Sequence, residues 1–189
     1  MTEENLNEIP FKEFPKIYRL NREIIITEKI DGTNGLIYNG ENGEFLVGSR
    51  SRWIIPEKDN HGFAKWAYEN KEELLKLGNG YHYGEWWGNG INRGYGLPKN
   101  EKRFSLFNVA RWKDSSDMPN CALIVPILYQ GLYDPRAIND CLNALKNHGS
   151  FAVPFMNPEG IVIHFPQANF SFKITLEGDE QPKGVKNGQ

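Results

Sequence analysis

An α+β fold, with antiparallel sheets and flanking helices, is what the sequence predicts, on three observations. Short segments at 23–27, 35–38, 44–48, 81–86, 103–109, 122–126, 160–164 and 169–174 have the β-rich, turn-bounded pattern of strands. Only two longer stretches have apolar residues at helical spacing. Most consecutive strand segments lie hairpin-close, which favours antiparallel pairing, because parallel strands need long crossovers.

In chain order, the first strand is an apolar run around Ile24, Ile25 and Ile26. The second and third are joined by Asn39-Gly40-Glu41-Asn42-Gly43, a hairpin loop whose asparagines and glycines tolerate the positive φ of tight turns. A helix is expected over 63–77, with Phe63, Trp66, Ala67, Leu74 and Leu75 on its apolar face and Gly78 just past its end. The strands at 81–86, 103–109 and 122–126 follow. A second helix opens at Asp134-Pro135, an N-cap and a proline in the first turn, and closes before Gly149. The strands at 160–164 and 169–174 complete the set.

A chain of 189 residues suits one domain with a real core. A formal net charge of −2 and a pI near 6.1 leave no global basic footprint, so any grip on a phosphate backbone must come from a local patch. Lys99, Lys102, Arg103, Arg111 and Lys113 form such a patch or else an ordinary solvated face. The five tryptophans and eight tyrosines fill the core, or some of them stack on bases. Cys121 and Cys141 form no CxxC pair, which argues against a zinc site or a disulfide framework and for a reducing, cytoplasmic compartment. The acidic, polar start MTEENLNEIP is unlike a signal peptide, and no run reaches membrane-spanning length, so no membrane partner is expected.

One stretch carries chemistry, Glu28-Lys29-Ile30-Asp31-Gly32-Thr33-Asn34, between an apolar strand and a second strand. Gly32 lets the backbone turn tightly and approach a ligand, while Asp31 and Asn34 offer polar groups for a ribose or a base. A lysine held between strand and turn can be partly desolvated, which favours the neutral amine that attack on phosphorus requires.

This run resembles the first signature, KxDGxN, of the covalent nucleotidyltransferases: ATP-dependent DNA ligases, RNA ligases and mRNA capping enzymes. Asn34 in the last position is similar to the RNA ligase 2-like group of RNA ligases, where the other branches usually carry arginine. Further signatures follow in order. Gly48-Ser49-Arg50-Ser51-Arg52 resembles the segment whose arginine meets phosphates or the 3′ end, and Arg50 is the better placed of the two. Tyr83-Gly84-Glu85-Trp86 resembles the element whose glutamate holds the ribose, and Phe104-Ser105-Leu106-Phe107-Asn108-Val109 the element whose aromatic ring, here Phe107, stacks on adenine. Glu159-Gly160-Ile161-Val162 looks like the element whose glutamate assists the divalent metal, and Lys173 like the lysine that neutralises the α-phosphate.

The resemblance implies an ATP-grasp-like nucleotidyltransferase (adenylation) domain over 1–177 without an OB domain; the stretch 178–189, polar, glycine-bearing and without periodicity, is expected to be a disordered tail or a short linker. It implies Lys29, Glu159 and Lys173 as catalytic residues, with Glu28, Ile30, Asp31, Asn34, Arg50, Glu85, Phe107 and Lys173 around the nucleotide, and Glu159 at Mg2+ or Mn2+. ATP is the implied co-substrate. The implied reaction forms a lysyl-AMP on Lys29, passes AMP to a 5′-phosphate end and seals it to a 3′-hydroxyl, RNA being the favoured strand.

Three departures qualify the match, one being Asn108 where aspartate is frequent, which leaves the stacking role of Phe107 in place. The fifth signature of many relatives is KxK, but Thr175 follows Lys173 at the second position, with Lys183 and Lys186 as distant substitutes. The sequence also stops soon after Lys173, so the protein would work without a C-terminal domain, borrow a partner protein or catalyse only part of the cycle, with compensation from the 86–96 segment, whose Trp87 and Arg93, with Arg52, would bind nucleic acid. A surface loop anchored by buried tryptophans reads the same segment equally well. A GTP-using capping-type guanylyltransferase and a noncatalytic module that binds nucleic-acid ends remain the alternatives.

Overall fold

The computed structural model describes residues 10–179. The expectations for the first nine residues, for most of the polar tail, and for Lys183 and Lys186 fall outside that range. Two sheets hold the domain together. The strands are β1 (Glu23–Lys29), β2 (Thr33–Asn39), β3 (Phe45–Gly48), β4 (Trp53–Ile54), β5 (Gly80–Gly88), β6 (Lys102–Leu106), β7 (Ala122–Ile124), β8 (Ile127–Leu132), β9 (Gly160–Phe165) and β10 (Phe170–Thr175). Four of them form a sheet in the order β10-β9-β1-β8, and six form another in the order β4-β3-β2-β5-β6-β7.

Every pairing is antiparallel, as expected, except one: β6 and β7 run parallel, with Phe104 opposite Ala122. Between them lies α3 (Val109–Trp112), whose N-cap Asn108 accepts from the Arg111 backbone N–H through its side chain. The expected strand at 103–109 therefore ends early, because the Asn108 cap turns its last residues into a helix. The expected strand at 122–126 is cut by Pro126, which has no N–H to continue a ladder. There the chain leaves one sheet and enters the other as β8, and the Pro126 carbonyl accepts from the Glu28 backbone N–H at 2.9 Å.

The helix expected over 63–77 is broken into α1 (Phe63–Glu69), α2 (Lys71–Leu74) and a 3-10 turn (Leu75–Leu77). The break falls at Asn70, whose backbone leaves the helical region at φ −108° and ψ 18°, while its side-chain amide and its backbone N–H both donate to the Trp66 carbonyl, at 2.8 and 3.0 Å. The last helix, α4 (Pro135–His148), matches its sequence signals, with the Asp134 carboxylate accepting from the Arg136 N–H at 2.9 Å and Gly149 at φ 80° beyond its end.

Three apolar cores result. Phe63 of α1 and Leu74 of α2 pack with Trp86, Phe104 and Leu106 on the outer side of the six-stranded sheet. Ile25, Ile30, Trp87, Tyr95 and Val125 fill the space between the sheets. Ile24, Ile26, Cys141, Leu145, Ile161 and Ile163 join α4 to the four-stranded sheet. β1 is thus buried on both faces, which is why its sequence is an unbroken apolar run and not an alternation. Residues 137, 141 and 145 place one buried stripe on α4, and full burial of Leu145 contributes about 1.5–3 kcal/mol. Both cysteines are free.

Candidate active site

The two sheets face each other across a groove of about 1040 Å³. β1 ends at Lys29, where its register places Lys29 opposite Gly160 on β9 and so brings Glu159 alongside. Lys29 Nζ donates to Glu159 Oε2 at 2.5 Å, and Glu159 is 5% exposed. On β10, alternation turns Ser171 and Lys173 into the groove while Phe172 packs its ring against Phe165 on the other face. Lys173, opposite Val162, stays exposed to solvent and aimed at the same space.

The turn after Lys29 is held by several bonds. Gly32 N–H donates to Glu85 Oε1 at 3.0 Å, which only a side-chain-free residue can arrange here. A β-carbon on Gly32 would lie 2.8 Å from Trp87 Cβ and would overlap the Trp86 carbonyl oxygen. Asp31 Oδ2 accepts from Arg93 Nε at 3.1 Å, Asp31 Oδ1 from Asn92 Nδ2 at 2.9 Å, and the Asp31 N–H donates to the Tyr95 hydroxyl at 3.0 Å. Asn92 and Tyr95 were not singled out in the sequence. The complementarity of an Asn-Arg pair to Asp31 was the available signal, but it has no periodicity to mark it.

The opposite wall comes from the six-stranded sheet. Asn34 pairs with Glu85 across β2 and β5, and both line the groove with Arg50 and Phe107. Burial pushes the Glu85 carboxyl up from 4.5 to about 7; the Lys29 ammonium and the Gly32 N–H oppose that rise, and Glu159 and Asp31 add to it. Glu28, also raised by burial, accepts from the Phe151 N–H at 2.8 Å and so ties the 150–157 loop to the floor. Ile30 is buried at the groove's base.

Three residues expected at nucleic acid sit differently. Trp87 is fully buried, with its indole N–H donating to Ser105 Oγ at 2.9 Å, so its ring has no face to offer a base. The reason is that β5 has a core on each side at this point, Trp86 filling one and Trp87 the other. Arg93 is engaged by Asp31 and by the Asn157 carbonyl. Arg52 is exposed but lies outside the groove lining.

Among the described residues no cluster of three or more His, Cys, Asp or Glu side chains could cage a metal. The buried Glu159 carboxylate, bonded to Lys29, is the acidic group that stands next to the lysine. Among the same residues no helix is long and apolar enough to cross a membrane.

The two-sheet fold is similar to that of solved RNA ligase structures. An RNA ligase from Naegleria gruberi matches as a mutant with ATP and Mn (TM-score 0.62, 22% identity, 84% of this chain and 51% of that one). It matches also with PPi (0.61, 24%, 82% and 50%) and as an apo mutant (0.61, 23%, 82% and 49%). The present chain therefore spans about half the length of that ligase. No curated protein is significantly similar in sequence. The RNA ligase family model matches residues 22–175, and the chain belongs to the RNA ligase family.

Proposed function

We propose that this chain is the adenylylating domain of an ATP-dependent RNA ligase, with Lys29 as the nucleophile. The supporting observation is that Lys29, Lys173 and Glu85, from three separate strands, line one groove together with Asn34, Arg50 and Phe107, while buried Glu159 accepts from Lys29 behind the lining. Lys29 sheds a proton, and its Nζ forms a bond to the α-phosphorus of ATP as the bond to the pyrophosphate oxygen breaks. Pyrophosphate carries off the leaving electron pair. Lys173 and Arg50 neutralise phosphate charge, Glu85 takes a ribose hydroxyl, and Phe107 stacks on adenine. A magnesium or manganese ion held by Glu159 would supply further charge neutralisation at the phosphates. AMP then passes to a 5′-phosphate end, and a 3′-hydroxyl displaces it to close the phosphodiester.

The Naegleria ligase structures with ATP and Mn support the choice of nucleotide and metal. The direct test is incubation with Mg2+ and ATP labelled at the α-phosphate, after stripping any pre-bound AMP with pyrophosphate. Label that survives denaturation on the parent chain, is absent from Lys29→Ala and is preferred over GTP label is the expected result. No label on stripped protein would overturn the reading in favour of a binding module, and preference for GTP would favour a capping-type enzyme.

A further inference from the structure

Outside the groove, the most unusual surface is a row of aromatic rings that begins at its rim. On β5, alternation puts Tyr81 and Tyr83 on the same face as Glu85, and both line the groove. Tyr38 stands opposite Tyr81 across the β2–β5 ladder, and Trp53 reaches Tyr38 from the short edge strand β4. The ring centroids are 6.2 Å apart for Trp53 and Tyr38, 4.7 Å for Tyr38 and Tyr81, and 6.4 Å for Tyr81 and Tyr83, whose planes lie within 14°. These rings are not core residues: Trp53 is 49% exposed, Tyr81 57% and Tyr83 56%.

Contiguous exposed aromatics on a sheet mark a binding surface, since cross-strand pairing alone does not require them to stay open to solvent. Two features select the occupant. The row is continuous with the groove at Tyr83, and Arg50 and Arg52, both exposed and in no ion pair among the described residues, flank it on the β3–β4 connection. Aromatic faces in series beside free guanidiniums fit unpaired bases and their phosphates, because stacking needs no particular base and the backbone needs only positive charge.

We propose that Trp53, Tyr38, Tyr81 and Tyr83 form a stacking track for a single-stranded RNA segment whose end enters the groove. The choice of RNA rests on the ligase reading above; the track itself rests on the ring geometry. It replaces the stacking expected of the buried Trp87.

The test uses the full chain without ATP and a 12-nucleotide oligouridylate with a 5′-hydroxyl. Trp53 is the most exposed of the five tryptophans, so RNA should quench tryptophan fluorescence, and Trp53→Phe should abolish most of the quench. Anisotropy of a fluorescein-tagged oligouridylate should show the Tyr38→Ala/Trp53→Ala variant binding at least about tenfold more weakly. Tyr38→Phe/Trp53→Phe keeps the rings and should bind within about twofold of the parent. The alanine pair should retain label uptake from ATP and its melting temperature, which separates the track from folding and from adenylylation. Parent-like affinity in the alanine pair, a quench that survives Trp53→Phe, or stronger binding to a blunt duplex would each overturn the track and leave the ligase reading standing. Track binding by a protein that takes no label would support the track while overturning the ligase reading.

Discussion

The two walls of the groove differ in kind. The four-stranded sheet presents charge, with Lys29 on β1, Glu159 before β9 and Lys173 on β10. The six-stranded sheet presents polar and aromatic surface, with Asn34, Glu85, Phe107 and the ring row, and Arg50 on its rim. Phosphate chemistry needs cations fixed where charge develops, and nucleoside recognition needs flat faces and hydrogen-bonding groups. On the proposed function each sheet serves one need, and the 30–32 turn joins them.

If that division holds, damage to the charged wall should appear in rate and damage to the aromatic wall in affinity. The largest effect is expected from Lys173→Ala, with the adenylylation rate reduced by about 100-fold or more and little change in the KM for ATP. A KM effect alone would break the comparison. Gly32→Ala strikes the joint, since its added carbon meets Trp86 and Trp87; it should cost about 1–3 kcal/mol in denaturant unfolding and impair both rate and affinity. Phe107→Ala should raise the KM for ATP roughly tenfold while the rate at saturation stays near the parent's.

The smallest effect concerns Glu85. Its native carboxyl titrates near 7, against 4.5 in the ordinary state. Between those values the native chain holds a proton that the unfolded chain has released, so stability falls as pH rises through the window and levels off above it. Glu85→Gln should show a flatter dependence of melting temperature on pH from about 4.5 to 7; an unchanged slope would mean that Glu85 is not buried as described.

The sequence made much of the site legible, because ordered spacing survives folding. Lys29, Glu85, Glu159 and Lys173 could be picked out by order and neighbours; Lys29, Glu85 and Lys173 line the groove and Glu159 is bonded to Lys29. What escaped lay in side chains acting on distant or competing backbone. The helix breaks at Asn70, whose non-helical backbone and cap bond to the Trp66 carbonyl apolar periodicity does not record. Trp87 looked available because its aromatic, arginine and glycine neighbours read as a loop, whereas it continues β5, which is covered on both faces. Asn92 and Tyr95 acquire meaning only once the 86–96 segment folds over Asp31. The ring row is an alternation in Tyr81 and Tyr83 that became a surface only when β2 and β4 supplied Tyr38 and Trp53.

The register of β1 has a kinetic consequence. All strands of the six-stranded sheet lie between residues 33 and 124 and pair largely with near neighbours, so that sheet can organise from local contacts. β1 instead finds its partners in β8 and β9, and Lys29 meets Glu159 across 130 residues of chain. Closing such a loop is slow relative to hairpin formation, and during synthesis it must wait until the distant strands have emerged. The wall that carries Asn34, Glu85 and Phe107 can therefore take shape early, while Lys29 gains its partner Glu159 late, so on the proposed function a nascent chain carries a nucleotide shelf before its lysine is paired.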